Sequence, residues 1–515
     1  MRTSDPKGGA GYPGAERGSH VMDDRHDPDA ELPIKLEPCS NGEFLPLPIT
    51  PVAAETIRRT RDEADRQARR LGLSRRTFLR SVAGAALMLT VLDRTAREAH
   101  GATGGRYNLP VDAASDADVA RSFLGGDEFI FDVQVHYLNF DLAQPGELGV
   151  LGNLFPQKNC GETDPRACFA VDHLVEEMLL KSDTDMLVMS SIPIPGDANP
   201  LSIEDMETVK RLVTELCGRG RVLTQGQTFP SIGTAAEQLE AMRLLREEHK
   251  IAAWKVYTHA GGPPWWLDDH EAGVSQSGVA FLENVRELGP KIVAVHKGFG
   301  LVGGPNRGYA DPIDIGPAAE ANPDIKFVVY HSGYEPGETE GPYTPETATQ
   351  GVNRLITSAR TAGIGKDGNI YPELGSTWRS VMGDPTQAAH VLGKLLAEFG
   401  ADRIVWGTDS IWYGSPQDQI AAFRAFQITP EFQERFGYPA LTDDVKQQIL
   451  SANAAALFGI APPPAGCPAA NDDGAGLRSN RTYGPVARRD VEATFTREHP
   501  WTVERTANPR VSTYP

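Results

Sequence analysis

Eight short runs of strand character recur along this chain, and six of them end on or beside a side chain that can bind a metal or carry a proton. The six are Phe129–His136, Ile251–Tyr257 (with Lys255), Lys291–His296, Ile325–His331, Asn369–Glu373 and Arg403–Asp409. Asp185–Pro193 and Arg221–Phe229 complete the series. Between the runs lie amphipathic stretches with apolar residues at three- and four-residue spacing: Val171–Leu180, Ile203–Cys217, Ala235–Glu248, Val279–Leu288, Gln350–Ala362 and Gln387–Phe399. Asp443–Phe458 closes the series as a final helix. Strand ends recurring at intervals of roughly forty residues are the mark of repeated βαβ units. An open doubly wound sheet should carry a Gly-rich phosphate loop after its first strand, and none follows Phe129–His136. The pattern therefore predicts an α/β chain folded as a closed (β/α)8 TIM barrel over residues 125–460. Such a barrel aims the C-terminal ends of its strands at one pocket.

The rest of the chain divides around that barrel. Residues 1–73 read as a leader, largely disordered, rich in Pro, Gly and charge. Residues 74–103 read as a twin-arginine signal segment. Arg75-Arg76 is followed by Phe78 and Leu79, then by the apolar stretch Ser81–Leu92, with small residues at Ala99, Gly101 and Ala102 as a cleavage zone. That stretch is too short to span a bilayer as a helix. The alternative is an Arg-rich amphipathic helix over Thr56–Leu71 running into a buried apolar helix. Under the first reading the partner is the twin-arginine export machinery, and the protein is exported to the periplasm or beyond, membrane-associated if the signal is uncleaved. Residues 461–515 read as an extended C-terminal arm, lying on the barrel or on a neighbouring subunit of a homo-oligomer. The formal charge of −19 over 515 residues excludes a general nucleic-acid surface, which needs a basic patch. Five cysteines are too few for a disulfide framework. Cys160 and Cys168 could pair after export, or remain free thiols.

The order of the strand-end residues resembles the amidohydrolase-related family, the branch that includes aminocarboxymuconate-semialdehyde decarboxylase and related metal-dependent hydrolases. The resemblance rests on Asp132 and His136 of the opening Asp-x-x-x-His and on Lys255, His296, His331 and Asp409 after the fourth, fifth, sixth and eighth strands. The segments Ile404–Ser410 (IVWGTDS) and Tyr371–Ser376 (YPELGS) add to it. It implies a small-molecule substrate and one divalent metal, zinc in the first place, with manganese or magnesium as alternatives. The implied ligands are His136, His296 and Asp409. The family's first motif is His-x-His, whereas this chain reads Gln134-Val135-His136. Gln134 offers only a neutral carbonyl oxygen, so it is a weak fourth ligand, a group behind the ligands, or the mark of a lost metal.

The chemistry of each residue type suggests its role. Asp409 could take a proton from a metal-activated water. His331 could polarise a substrate carbonyl. Lys255 either pairs with Asp409 or binds a substrate carboxylate. Glu373 is an extra ligand or a buried partner of Arg379 or Lys255. Tyr257, Trp265 and Trp266 are expected to line the substrate, the tryptophans as a lid or packed on a neighbouring loop. Hydrolysis of a C–N or C–O bond leads, with nonoxidative decarboxylation of a small aromatic or unsaturated acid on the same site as the alternative. A noncatalytic barrel with a decayed metal site is the rival from another class.

Overall fold

The computed structural model describes residues 32–139, 160, 165–196 and 199–462. Its centre is a parallel sheet of seven strands in sequential order: β1 (Phe131–Val135), β2 (Met186–Met189), β3 (Val222–Gln227), β4 (Ala253–Tyr257), β5 (Ile292–His296), β6 (Lys326–Tyr330) and β7 (Ile370–Pro372). Each falls inside a run predicted from the sequence. The eighth run is not a regular strand, yet it closes the barrel. Val405 bridges to Glu373 beside β7, and Ser410 bridges to Val135 of β1. The Val405 amide donates to Pro372 O at 3.0 Å and the Asp409 amide to Gln134 O at 3.0 Å.

Two local features keep this closing segment irregular. At Gly407 an added Cβ would lie 1.7 Å from Glu373 Oε1, so only glycine fits. Asp409 adopts φ 58°, in the left-handed region. The Asp132 carboxylate ties the segment to β1, accepting from the Gln134 and Thr408 amides at 3.1 Å each and from the Thr408 hydroxyl. Burial pushes this carboxyl up to about 7.

The alternation of side chains along a strand places the site. Ala253 of β4, Ala294 of β5 and Val328 with Tyr330 of β6 share one apolar cluster, while Trp254, Val256, Val293, Val295, Phe327 and Val329 belong to a separate one. Lys255 and Tyr257 are in phase with Ala253, and His296 with Ala294, so these polar groups project to the side away from the larger core. Helices cover the barrel: Ile203–Cys217 and Ala235–His249, both opened by capping boxes, then Gly278–Leu288, Asn353–Thr361 and Pro385–Phe399. Each agrees with its sequence reading to within three residues. The Val171–Leu180 prediction becomes one α turn followed by a π segment from Val175. Cys160 and Cys168 form a disulfide.

The N-terminal region differs from expectation. The leader was expected to be largely disordered through residue 73, but residues 32–73 have defined structure. Residues 32–49 run as an extended strap that buries Leu32, Ile34 and Leu36. Helix α1 (Pro51–Leu71) follows, capped by Thr50. Then come α2 (Arg75–Leu79), α3 (Val82–His100) and α4 (Ala117–Leu124). The stretch read as a signal core is the body of α3, which buries twelve residues and packs on α1 and α4. Gly84 lets α3 approach the preceding turn, where an added Cβ would sit 2.4 Å from Phe78 O. The geometry is thus that of the alternative, an Arg-rich amphipathic helix leading into a buried apolar one. Among the described residues no helix is long and apolar enough to cross a membrane. A short antiparallel ribbon, Gly105–Tyr107 with Phe426–Ile428, joins this region to the far end of the barrel. The arm expected over 461–515 lies outside the described residues except for 461–462.

Candidate metal centre and active site

The strand ends bring His136, Gln134, His296, His331 and Asp409 into one buried network. The His136 Nε2 lies 3.2 Å from Asp409 Oδ1, and Gln134 Nε2 donates to the same oxygen at 3.0 Å. Gln134 Nε2 also lies 3.4 Å from His331 Nε2, which lies 3.3 Å from His296 Nδ1. The other Asp409 oxygen accepts from Ser376 Oγ at 2.6 Å and from Asn41 Nδ2 at 2.7 Å. Burial works to raise the Asp409 carboxyl, but hydrogen bonding to His136, the nearby His331 and the Ser376 hydroxyl outweigh it and hold the group below the usual carboxylate range.

Each imidazole is oriented by a backbone carbonyl. His136 Nδ1 meets Ser190 O at 2.5 Å, His331 Nδ1 meets Gly375 O at 2.7 Å, and His296 Nε2 meets Gly298 O at 3.1 Å. A carbonyl only accepts, so each of these nitrogens carries the proton, and in His296 and His331 the opposite nitrogen presents a lone pair. Burial pushes His331 down to about 4 and His296 well below the ordinary range, so both rings are neutral at pH 7. Lone pairs of these two imidazoles therefore converge on a space that also holds His136 Nε2 and the Asp409 carboxylate. Lone pairs facing one another at such distances repel unless a proton or a cation lies between them. The donor set fits a divalent ion, with the backbone-tethered N–H groups as the usual outer support.

Gln134 does not supply a lone pair in this arrangement. Its amide nitrogen donates inward, and its buried Oε1 has no hydrogen-bond partner. Turning the amide over would aim Oε1 at Asp409 Oδ1, an arrangement that only a cation would make favourable.

Lys255 is placed differently from its expected pairing with Asp409. Among the described residues its Nζ has no hydrogen-bond partner, and it lies over the rings of Tyr330 and Tyr257, 4.0 Å and 4.3 Å from their centroids. Burial brings it down to about 7, against the pull of the Glu43, Asp409 and Glu373 charges. Among the described residues Glu373 forms no ion pair with Arg379 or Lys255. Its carboxylate accepts from the His331 amide at 3.0 Å and from the Gly375 amide at 2.6 Å, holding the turns that carry two site residues. Tyr257 stacks on His296 with centroids 4.9 Å apart and donates to Ser191 O at 3.2 Å. Ser191 lines a cavity of about 460 Å³ that also touches Asn199, Gln227 and Phe229, so Tyr257 adjoins both spaces. Trp265 and Trp266 are packed and form no lid. Trp265 is buried against Phe281 and donates to Tyr257 O at 3.1 Å, and Trp266 donates to Glu271 at 2.7 Å and lies against His270 and Tyr309.

The sequence reading missed three residues. His259 is buried beside His296, with ring centroids 4.8 Å apart, and among the described residues neither of its nitrogens has a hydrogen-bond partner. Burial pushes it down to about 3. Its signal was its place two residues past the end of β4. Asn41 and Glu43 arrive from the N-terminal strap. Glu43 Oε1 lies 3.4 Å from His296 Nδ1, and Glu43 Oε2 lies 3.8 Å from His331 Nε2.

The family model described as amidohydrolase matches residues 132–460. No curated protein matches the chain. Among solved structures, an uncharacterised TIM-barrel protein from Bordetella bronchiseptica is 16% identical, with 64% of this chain and 98% of that one covered and a TM-score of 0.43. A 2,6-dihydroxybenzoate decarboxylase from Rhizobium is 13% identical, with 64% and 99% covered and a TM-score of 0.35. A manganese-bound dihydroxybenzoic acid decarboxylase from Polaromonas is 13% identical, with 64% and 97% covered and a TM-score of 0.36.

Proposed function

This chain belongs to the amidohydrolase family of enzymes, and on that premise we propose that it is a metal-dependent enzyme that removes CO2 from a small organic acid. The observation that carries the reading is Lys255, a buried amine with no partner, boxed by two aromatic rings beside the histidine and carboxylate network. An unpaired buried ammonium is costly, and a substrate carboxylate is the group that would relieve that cost. A divalent ion held by His136, His296, His331 and Asp409 would supply Lewis acidity toward a substrate oxygen next to the reacting carbon.

The chain's own residues account for the remaining chemistry. The Lys255 ammonium receives the substrate carboxylate. The Tyr257 and Tyr330 rings keep water from it, and Tyr330 is fixed by donating to Val133 O at 2.6 Å. The bond between the carboxylate and its carbon breaks, the electron pair stays on that carbon, and CO2 leaves. The carbon then takes a proton from the ammonium, and solvent restores it. A lysine near 7 is suited to both halves of that exchange at neutral pH.

Hydrolysis is the second reading, favoured by the contact of His136 Nε2 with Asp409 Oδ1, a pair able to pass a proton. It ranks below decarboxylation because Asn41, Ser376 and Gln134 already donate to Asp409, which weakens it as a base. Incubating metal-loaded protein with panels of hydroxybenzoates, unsaturated acids, esters and lactones separates the two. The expected outcome is release of CO2 from an acid with no ester or lactone cleaved. Bond hydrolysis without CO2 would replace the first reading by the second.

We propose further that the chain is exported by the twin-arginine route and keeps its leader. Arg75 and Arg76 are exposed at the start of α2, where a receptor could reach them. The burial of α3 argues for retention. Replacing both arginines by lysine is expected to hold the protein in the cytoplasm. An exported species whose intact mass starts beyond Ala102 would exclude retention.

A further inference from the structure

The strap over residues 32–44 is built into the barrel mouth. Lys35 Nζ donates to Tyr413 O at 2.8 Å and to Ser415 O at 2.9 Å, and its amide donates to Asp418 at 3.1 Å. Leu32, Ile34 and Leu36 are buried, and they alternate with polar or prolyl residues as an extended segment on a core requires. Beyond them the chain makes a tight turn. Ser40 Oγ donates to Phe44 O at 2.6 Å, the Gly42 amide donates to Ser40 Oγ at 2.8 Å, and Gly42 takes φ 90°, a conformation that favours glycine. Phe44 packs on Phe299, and Phe299 packs on His331. The turn thus holds Glu43 from both sides.

Its carboxylate is aimed at His296 Nδ1 and His331 Nε2, which otherwise meet each other and the Gln134 amide. The donor atoms of Glu43, His296 and His331 all lie within 4.8 Å of one another. Asn41 Nδ2 spans the two carboxylates, donating to Glu43 Oε2 at 2.6 Å and to Asp409 Oδ2 at 2.7 Å. The first strand, meanwhile, offers Gln134, a neutral side chain whose buried Oε1 is unpartnered. We propose that Glu43, from a segment some ninety residues before the first strand, is a ligand of the divalent ion, contributing the charged donor that Gln134 cannot. The N-terminal strap is then part of the metal centre, and the ion joins leader to barrel. This assignment rests on the metal-dependent reading above and adds the source of one ligand.

The test uses the full chain, stripped of metal and reloaded with cobalt(II), whose visible spectrum reports the number and kind of its ligands. Wild-type protein is expected to bind one ion. Glu43→Gln, which keeps the size of the side chain and its contact with Asn41, is expected to weaken cobalt binding about a hundredfold and to shift the visible bands. Its melting temperature in chelator should stay at the wild-type value, which separates loss of a ligand from loss of the fold. A variant that binds cobalt with wild-type affinity and spectrum would overturn the assignment while leaving the metal-dependent reading intact. So would unchanged affinity with raised turnover, which would make the strap a cover over the site. Wild-type protein that binds no divalent ion would overturn both.

Discussion

Lys255→Met is expected to lower turnover about a thousandfold or more and at the same time to make the protein more stable. Removing both the carboxylate receptor and the proton donor should cost at least the range ascribed to one positioned acid or base. Methionine fills the same volume between Tyr257 and Tyr330 without a buried charge, so the variant should gain roughly 1–3 kcal/mol. The pH dependence fixes the sign. Burial brings Lys255 down to about 7 in the folded protein, whereas a lysine in the unfolded chain titrates near ~10.4. Between those values the unfolded state holds the extra proton, so the wild-type protein gains stability as pH rises through that window. The destabilisation by Lys255 is complete below about pH 7 and fades toward pH 10. The advantage of the methionine variant should therefore be largest at pH 6 and small at pH 10. Wild-type turnover should fall as pH rises through 7, as the ammonium is lost. Thermal melts at the two pH values, beside CO2 release, check this. Turnover within tenfold of wild type, or a variant less stable at pH 6, would remove Lys255 from the mechanism.

The same residue shows why much of the site was legible in the sequence. Lys255, His296, His331 and Asp409 close runs rich in β-branched residues, and a parallel barrel converts that position into a shared pocket without further information. Once β4 and β5 exist, the period of two puts Lys255 and His296 on the side of the small residues Ala253 and Ala294. What the runs could not convey was which neighbour each side chain would meet. Glu373 was open to pairing with a cation, but the sharp turns at His331 and Gly375 leave backbone amides that need an acceptor, and the carboxylate goes there. Trp265 lies in a Gly- and Pro-rich loop, which suits a lid as well as packing, and that loop folds back and buries it.

Asn41 and Glu43 were out of reach for a different reason. Their place depends on a strap that crosses the barrel mouth, a contact between residues hundreds of positions apart such as Asn41 with Asp409. The only local trace was the alternation of Leu32, Ile34 and Leu36, too short to stand out in a segment whose composition suggested disorder. The Arg-rich stretch presents the converse case. The motif that reads as an address lies just after it, at the start of α2, while the stretch itself, once helical, packs as α1 on α3.

Asp409→Asn tests the centre itself. The substitution is close to isosteric, and asparagine tolerates the left-handed conformation at φ 58°, so the closing segment should keep its path. The chemistry changes at once. Asp409 accepts from Asn41, Ser376 and Gln134 and faces His136 Nε2. An amide in its place has one acceptor oxygen and an NH2 that must point at groups already donating. Ser376 can rotate its hydroxyl to accept, but the Asn41 and Gln134 amides would have to turn over or lose a bond. That mismatch should cost about 1–3 kcal/mol of stability. The larger effect is on charge, since without Asp409 the three imidazoles are left with Glu43 as the remaining anion among the proposed ligands. Bound metal, measured by elemental analysis after dialysis against one equivalent, is expected to fall at least tenfold. Turnover is expected to fall about a thousandfold or more, as follows when a Lewis acid worth several kcal/mol is lost. Circular dichroism should stay near the wild-type spectrum. If metal content and turnover both survive, Asp409 serves packing alone and is neither a ligand nor part of the chemistry.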